Sequence, residues 1–358
     1  MKRAPAAASP VAAGGVPLTE EQRLAWLRLI RSENVGPATF RSLINHFGSA
    51  QAALDALPDL SRRGGASRAI RVATPGEAAD EMAASVRIGA RFVGLGEPLY
   101  PPWLRHADAP PPLLAVRGAV KHLTTPAVAI VGARNASVAG RKMATLLAKG
   151  LGEAGFVVIS GLARGIDAAA HEAALTDGTI AVFAGGLDNI YPPENAALFD
   201  RIIGSEGCGV SEMRFGWAPR ARDFPRRNRI IAGMSLATVV VEAAERSGSL
   251  ITARLALEQN REVLAVPGSP LDPRATGSNN LLKQGARIVT ESRDIVEAIA
   301  PMLEEPPEVR GALSAPVSDV PISEPAESER ARIVEALGPT PIEVDEIIRF
   351  TGIPARAV

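Results

Sequence analysis

The chain has 358 residues, and its 39 basic and 39 acidic side chains give a formal net charge of zero. This balance excludes recognition of an anionic partner by the field of the whole surface, so such a partner must meet a local basic patch. The single cysteine, Cys208, excludes a disulfide framework or a thiolate metal site within one chain. Its apolar neighbours in "CGVSEM" predict a thiol in a core strand.

The first 17 residues, "MKRAPAAASPVAAGGVP", predict a disordered leader. Pro5 and Pro10 interrupt this segment and no continuous apolar stretch follows it, which differs from the pattern of a signal peptide. No stretch of the chain approaches the roughly 20 apolar residues of a membrane span. We therefore expect a cytoplasmic protein with no membrane partner.

Residues 18–75 predict a small helical domain. The segment "LTEEQRLAWLRLI" has a capping box at Thr19 and Gln22. Its apolar face is predicted to contain Leu24, Leu27 and Ile30. A Gly-Pro turn in "NVGPATFRSLINHF" then predicts a second helix that starts near Pro37. Two interpretations stay open: a helix-hairpin-helix whose turn amides meet a phosphate, or an ordinary helical bundle without a ligand.

Residues 76–123 contain "YPPWLRHADAPPPLL" and predict an extended, proline-rich connection. Residues 124–304 then predict a doubly wound (Rossmann-like) α/β domain. Apolar runs without polar alternation, separated by helical patterns, are typical of parallel strands buried on both faces. These runs are "AVAIVGA", "FVVISG", "TIAVFAGG", "ATVVVEA" and "EVLAVPG".

Two further segments complete the chain. Residues 305–328 are rich in proline, serine and glutamate, which predicts a solvated linker. Residues 329–358 predict helices that resemble the front half of a winged helix, without wing strands. We expect residues 305–358, the linker together with this partial winged-helix-like domain, to be dispensable for ligand binding.

Glycine-rich loops follow several of the predicted strands. Because ligands of an open parallel sheet bind beyond the carboxyl ends of its strands, these loops are candidate anion sites. Backbone amides, hydroxyls and projecting cations at such positions suit a phosphate, although each glycine alone can serve backbone geometry only. The candidates are Gly132, Arg134, Ser137, Gly161, Arg164, Gly165, Ser247, Gly248, Ser249 and Lys283.

The sequence lacks the usual fingerprints of nucleotide-binding enzymes and metal sites. The segment "GARNAS" lacks the second glycine of a dinucleotide-binding motif, and no P-loop motif occurs. Only His171 lies four residues from a carboxylate, that of Asp167, and a helix cap with a local polar pair explains both residues. We therefore expect no catalytic residue, no metal and no cofactor.

The segment "RFGWAPRARDFPRRNR" has six arginines and one aspartate in sixteen residues, interleaved with Phe215, Trp217 and Phe224. Guanidinium groups grip phosphates and exposed rings stack on unpaired bases, so the pattern predicts a site for single-stranded nucleic acid. The alternatives are a solvated arginine face and a core position for Phe224. Asn228 is expected to fix the loop by hydrogen bonds to the backbone. The candidates are Arg220, Arg222, Phe224, Arg226, Arg227, Asn228 and Arg229, with Arg134 and Arg227 as the proposed phosphate ligands.

From about Val128 to Ala286 the chain contains a series of ordered motifs, "IVGARNASVAGRK", "SGLARGIDAAAH", "GGLDNIYPPEN", "FPRRNRIIAGMS", "VVEAAERSGSLITARLALEQNREVLAVPG" and "TGSNNLLKQGA". Their order and content resemble the motifs of the DNA processing protein A (DprA, also called Smf) family. The resemblance implies a non-enzymatic protein that binds and protects incoming single-stranded DNA in natural transformation and loads the recombinase RecA. It also implies a homodimer formed through the α/β domain.

The same resemblance assigns expected roles to individual positions. The family's arginine after the first strand corresponds to Arg134, and the ring of its FPxRNR motif corresponds to Phe224. The basic residue before that motif corresponds to Arg222 or Arg220. The stretch "SEMRFGWAPRAR" departs from the family where relatives often have an aromatic residue and a proline, so the basic contacts there are expected to be redistributed.

Two alternatives come from other functional classes. Nucleotide phosphoribohydrolases have a similar α/β domain, but "RSGSLITA" here lacks their paired glycines and following glutamate. A regulator that binds double-stranded DNA through its terminal helical domains is disfavoured by the missing wing. Both classes are expected to fit the sequence less well than a single-strand-binding protein does.

Overall fold

The computed structural model describes residues 15–63 and 70–304, together with residues 332 and 351–353. The chain divides into two compact units, Met1–Ala315 and Pro316–Val358, and the first contains all the elements described below. The predicted leader as far as residue 14 and the predicted linker lie outside the described residues, as does nearly all of the partial winged helix. Those three expectations stay predictions.

The described part of the N-terminal region contains four helices: α1 (Glu20–Arg31), α2 (Pro37–Phe47), α3 (Ala50–Arg63) and α4 (Pro75–Arg87). The predicted capping box is confirmed, since Thr19 and Gln22 each accept a hydrogen bond from the other's backbone amide. Leu27 is fully buried, but Trp26 and Leu29 take the other buried positions of α1. The predicted Leu24 and Ile30 pack at the edge of this core.

The strands of the described residues form one nine-stranded sheet at the centre of the first unit, in the order β1-β2-β6-β5-β4-β3-β7-β8-β9. The strands are β1 (Ala90–Gly94), β2 (Leu113–Gly118), β3 (Ala127–Val131), β4 (Val157–Ser160), β5 (Thr179–Val182), β6 (Cys208–Ser211), β7 (Ala237–Val240), β8 (Glu262–Ala265) and β9 (Arg287–Ile288). All neighbours from β6 to β9 are parallel. The five apolar runs are confirmed as β3, β4, β5, β7 and β8, and the buried Cys208 begins β6 as predicted.

The segment 76–123 corrects the sequence-based prediction of an extended connection. It contains most of α4 and the strands β1 and β2, which extend the sheet antiparallel to β6. Only the proline-rich part is a loop, anchored by the buried Tyr100 hydroxyl, which donates to the Pro111 carbonyl at 2.7 Å. The pattern was missed because β2 pairs with β6, about ninety residues later, and such a partner leaves no local signal.

Helices cover both faces of the sheet, which confirms the doubly wound arrangement. They are α5 (Val138–Glu153), α6 (Ile166–Ala173), α7 (Ala196–Ile203), α8 (Asp223–Met234), α9 (Gly248–Glu258), α10 (Thr276–Lys283) and α11 (Ser292–Glu304). In β3, Ala129 and Val131 face the core that α8 and α9 complete, whereas Val128 and Ile130 face α5, α6 and α11. Among the described residues, no helix combines the length and apolarity needed to cross a membrane.

The path of the chain creates a crevice at the carboxyl ends of β3 and β7. From β3 the chain proceeds outward through β4, β5 and β6, and then returns to β7 on the other side of β3. The loops after β3 and β7 therefore lead to helices in different directions. Ligands of open α/β sheets bind at such switch points, so this edge is where the candidate site lies.

His171 is a fully buried residue of α6, and it does not pair with Asp167. Its Nδ1 lies 2.7 Å from the Thr179 hydroxyl, while Asp167 accepts from the amides of Gly161 and Ala163. Burial, with a smaller contribution from the charge of Arg227, lowers the pKa of His171 to about 3. The two residues therefore stabilise separate parts of the fold. Within the described part of the chain, no cluster of histidine, cysteine and carboxylate groups could hold a metal.

We expect His171 to make folding sensitive to acid. In the unfolded chain it binds a proton below about pH 6.5, whereas the folded form stays neutral down to about pH 3. Its stabilising contribution is therefore present above pH 6.5 and is lost as pH falls through this window. Urea denaturation at several pH values should show a shallower loss of unfolding free energy in His171→Gln. The exposed His46→Gln is the control, and equal slopes in all three proteins would contradict the assignment.

Candidate nucleic-acid interface

A surface pocket lies beyond the carboxyl ends of β3, β4 and β5, at the start of α8. Its cavity volume is about 210 Å³. Its lining combines guanidinium groups with aromatic and proline rings. The lining residues are Arg134, Gly161, Ala163, Arg164, Tyr191, Pro192, Pro193, Glu194, Phe224 and Arg227. Loops that are distant in sequence therefore build a single cavity.

Phe224, in the first turn of α8, is part of the pocket wall. Its ring is half-buried and lies 5.5 Å from the Tyr191 ring, at an interplanar angle of 59°. The Arg134 guanidinium lies over the same ring, with its Cζ 5.4 Å from the centroid. Phe224 belongs to none of the core clusters formed by the described residues. A ring that is accessible and flanked by a cation is suited to stacking on a planar ligand.

Arg227 corrects the prediction that its guanidinium is free to hold a phosphate. The side chain is 7% exposed, and its Nη1 donates to the carbonyls of Gly161, at 2.6 Å, and Val182. Burial lowers the pKa of Arg227 to about 10, with the charge of Asp167 opposing the shift and that of Arg134 adding to it. Arg227 is still charged at neutral pH, and it forms the floor of the pocket.

Asn228 makes a side-chain-to-backbone hydrogen bond, as the sequence predicts. Its Nδ2 donates to the Gly248 carbonyl at 3.3 Å, and its Oδ1 accepts from Arg227 Nε at 3.2 Å. The side chain is 9% exposed and is buried beneath the loop that precedes α9. Asn228 therefore joins α8 to α9 and fixes the orientation of Arg227.

Two of the predicted glycines are required by close approach. A Cβ on Gly161 would lie 2.4 Å from Arg227 Nη1, so only glycine leaves room for the guanidinium. Gly165 has a φ of +80°, and a Cβ there would lie 2.2 Å from the Ala133 carbonyl oxygen. These glycines let the loops after β3 and β4 approach each other beneath Arg134 and Arg164. Gly132 similarly allows close packing against Ile166.

The start of α5 is not an open anion site, which argues against the phosphate contact predicted for Ser137, whereas a helix cap at this residue fits its sequence. The carboxylate of Glu242, which follows β7, accepts hydrogen bonds from both the amide of Ser137, at 2.9 Å, and its hydroxyl. Ser137 also caps α5 by accepting from the Gly140 amide at 2.9 Å. The protein's own carboxylate therefore occupies the position that a bound phosphate would take at this helix N-terminus.

The loop before α9 is also engaged internally. Ser247 caps α9 by accepting from the Ser249 amide at 3.3 Å, and the two hydroxyls lie 2.7 Å apart. The Gly248 carbonyl accepts from Asn228. None of these three residues lines the pocket. That they face the same ligand as Arg134 stays a prediction.

Three more predicted cations lie away from the pocket. Arg226 and Arg229 both pair with the buried carboxylate of Glu212, and Arg229 also donates to the Ala109 carbonyl at 2.8 Å. Lys283 is the last residue of α10, which runs back from the carboxyl edge of the sheet, about 10 Å along the helix axis. The sequence pattern groups these three residues with the site because it does not give the direction in which each side chain points.

The remaining predicted cations are exposed near the pocket. Arg164 lines the pocket and lies 3.8 Å from the Glu194 carboxylate, an exposed pair that contributes little to stability. Arg220 and Arg222 project from the segment that leads into α8. Phe215, which the sequence grouped with the exposed rings, instead packs edge-on against Phe92 at 6.0 Å.

Sequence reasoning missed two residues of this region. Tyr191 lies in the loop after β5, where "DNIYPPEN" gave no charge or glycine pattern that pointed to a ligand. Glu242 has no distinctive sequence signal either, because a carboxylate after a strand is common. Only the pairing of β3 with β7 brings this carboxylate to Ser137 at the start of α5.

The geometry defines a class of protein: an α/β protein with a cationic, aromatic binding pocket at the carboxyl edge of its parallel sheet. The family model for DNA recombination-mediator protein A matches residues 91–300, and the chain belongs to this family. Two further models match its ends, the DprA-like N-terminal HHH domain at residues 20–84 and the DprA winged helix domain at residues 317–358.

Individual relatives agree with this assignment. Protein Smf of Escherichia coli is 46% identical over 200 residues, which are 55% of this chain and 54% of Smf, so the match spans about half of that relative. The X-ray structure of DprA from Streptococcus pneumoniae has a TM-score of 0.64 and 32% identity, and the match covers 79% of this chain and 98% of that one. DNA processing protein A from Helicobacter pylori, whose structure addresses its single-stranded DNA binding mode, has a TM-score of 0.53 and 29% identity, covering 59% of this chain and 96% of that one.

The two pocket arginines should differ sharply in their effect on stability. Arg227→Met removes the donor of two buried carbonyls, which should cost about 3 kcal/mol and lower the melting temperature by several degrees. Arg134→Met removes only an exposed cation above a ring, and should change the melting temperature little. Thermal unfolding of both variants checks this. Equal melting temperatures would mean that Arg227 is not structural.

Proposed function

We propose that this chain binds single-stranded DNA, with Phe224 stacked on an unpaired base and Arg134 holding a neighbouring phosphate. The observation that carries the proposal is the cluster of Arg134, Tyr191 and Phe224 at the pocket mouth. Rings whose faces can be reached and cations that can grip a backbone are the two components of single-strand binding. In a duplex, the base faces are stacked and are not available to such rings.

The charges around the pocket support the same proposal. Arg134, Arg164 and Arg227 all line the cavity, and Glu194 is the one carboxylate among its lining residues. The pocket is therefore positive although the whole chain has a formal net charge of zero. The buried Arg227 adds positive electrostatic potential at the floor of the pocket. Arg134 and Arg164 are exposed and able to contact phosphates. A local field of this kind favours polyanions and weakens as salt is added.

We also propose a binding protein rather than a nucleotide hydrolase. The glycine-rich loop of the hydrolases corresponds to "RSGSLITA", at the start of α9, where the Ser247 hydroxyl accepts from the Ser249 amide and the Gly248 carbonyl accepts from Asn228. A nucleotide phosphate bound there would have to compete with these internal hydrogen bonds, which is costly. These contacts argue against the phosphoribohydrolase alternative, and the release of free base from nucleoside monophosphates would test it.

Family membership supports the remaining parts of the proposal. The chain would protect incoming single-stranded DNA in natural transformation and load the recombinase RecA onto it, in the cytoplasm. The DprA of S. pneumoniae and the DNA processing protein A of H. pylori are the structural relatives that motivate this role. A homodimer formed through the α/β domain belongs to the same proposal.

Gel mobility shift with single-stranded and double-stranded DNA of equal length tests the binding. We expect tighter binding to the single strand, weakening steeply with salt. Phe224→Ala should cost about 1–3 kcal/mol of affinity at an almost unchanged salt slope, whereas Arg134→Met should lower the salt slope by about one.

Phe224→Tyr is the matched control, because it keeps a ring at the pocket wall. It should retain most of the affinity if stacking is what Phe224 supplies. Melting temperatures of the three variants separate a loss of binding from a loss of folding. Tighter binding to duplex, or a Phe224→Ala protein whose folded fraction binds normally, would overturn the proposal.

RecA loading has a separate test. RecA filaments should nucleate faster on single-stranded DNA coated with a single-strand-binding protein when this chain is added. Arg134→Met with Phe224→Ala should remove the acceleration, since the chain must hold the DNA to deliver the recombinase. Acceleration that survives the double substitution would separate RecA contact from DNA binding.

A further inference from the structure

The segment between β6 and α8, residues 212–222, forms a second aromatic and cationic surface. It contributes no residue to the pocket lining, which takes Phe224 and Arg227 from α8 instead. Trp217 lies at its centre and is half-buried. The chain's other two tryptophans, Trp26 and Trp103, are 9% and 6% exposed. Trp217 is therefore the tryptophan that a surface ligand can reach.

Trp217 is held rigidly from three directions. Its indole Nε1 donates to Asp223 Oδ2 at 2.9 Å, and the same oxygen accepts from the Arg220 amide at 2.9 Å. The Trp217 carbonyl accepts from the Gly186 amide at 3.0 Å. The preceding Gly216, at a φ of +76°, donates its amide to both carboxylate oxygens of Asp188 at 2.8 Å. An indole fixed in this way is a preorganised surface.

Two guanidinium groups lie over the Trp217 ring. The Cζ of Arg220 is 4.6 Å from the ring centroid, and that of Arg214 is 5.2 Å away. Each contact restricts a long side chain before any ligand arrives, so less conformational entropy is lost when the ligand binds. A stacked guanidinium also presents its own plane and its N–H donors to solvent.

These arginines differ from their neighbours in having no ion pair among the described residues. Arg226 and Arg229, a few residues later, both pair with Glu212. Arg214 has only a minor electrostatic influence on Glu77, whose pKa it helps to lower after several larger causes. The positive charge of Arg214, Arg220 and Arg222 is therefore available to an external anion.

The second surface is joined directly to the pocket. Asp223, which anchors the Trp217 indole, is buried and is followed by Phe224, which forms the pocket wall. Adjacent residues at the start of α8 thus serve the two surfaces, since Asp223 holds the Trp217 indole and Phe224 belongs to the pocket wall.

We propose that Trp217, Arg214 and Arg220 form a second nucleobase platform, which a strand longer than the pocket engages. The inference rests on the proposed binding of single-stranded DNA and extends its path. Bases of the continuing strand stack on the guanidinium and indole planes, and Arg222 lies where the phosphate backbone passes. An aromatic ring at the centre suits unpaired bases, whereas an acidic peptide would need only the cations.

Oligothymidines of two lengths, about 4 and about 16 nucleotides, test the platform by fluorescence anisotropy. Trp217→Leu should weaken binding of the longer strand about tenfold and leave the shorter strand unchanged. Trp217→Phe keeps an aromatic ring and should bind nearly as the wild type does. Arg214→Ala with Arg220→Ala should act like Trp217→Leu, whereas Arg293→Ala, which removes an exposed arginine of α11, should have no effect.

Intrinsic tryptophan fluorescence provides a direct second measurement. The longer strand should quench the emission of the wild type, because Trp217 is the accessible indole, and this quenching should disappear in Trp217→Phe. Melting temperatures identify any variant that fails to fold.

The outcomes separate this inference from the proposed function. If the wild type binds neither length of single strand better than duplex, the proposed function itself is overturned. Normal single-strand binding with equal losses at both lengths, or with no loss in Trp217→Leu, would overturn only the second platform. Quenching that persists in Trp217→Phe would also overturn it.

Discussion

The buried guanidinium of Arg227 is the constraint on which the arrangement of the site depends. Removing a charge from water is costly, so it is tolerated only where hydrogen bonds and an opposite charge compensate. Here the compensation comes from the carbonyls of Gly161 and Val182, from Asn228 and from the charge of Asp167. These groups belong to β5, the loop after β4 and two helices, so the single side chain sets their mutual positions. It thereby fixes the start of α8.

A second constraint is that the protein's own carboxylates fill the backbone anion sites of the fold. Glu242 accepts from the amide at the start of α5, and Asp167 accepts from the amides of the loop after β4. Asp188 and Asp223 do the same in the segment before α8. In many α/β proteins amides of this kind bind a nucleotide phosphate. In this chain they rigidify loops, and exposed guanidinium groups and rings remain as the surface for a ligand.

Because the protein's own carboxylates engage these backbone amides, the candidate interface is built from side chains. A rigid frame of internal hydrogen bonds holds Phe224, Tyr191 and Trp217 at the surface without further ordering. Binding then costs little conformational entropy, because the rings and several of the arginines already lie in their stacked positions.

Much of the fold followed from local pattern. The capping box at Thr19, the strands of the parallel sheet and the loops at its carboxyl edge are all visible in short stretches, because hydrophobic period and turn residues act locally. Strand β2 is not visible in the sequence because its partner β6 is distant, and the proline-rich loop separates β1 from β2. The choice of the arginine-rich segment and of Phe224 also came from sequence, since composition alone distinguishes that segment.

What each arginine does was decided only by the tertiary structure. Successive residues of a helix point about 100° apart, so neighbours such as Arg226 and Arg227 must face different surroundings. Packing of α8 against the sheet turns Arg227 inward to two carbonyls and directs Arg226 toward Glu212. The sequence by itself determined that this segment carries concentrated positive charge and aromatic rings. Which charges are buried and which face a ligand depends on the rotation of a helix against its neighbours, and a linear pattern does not contain that rotation.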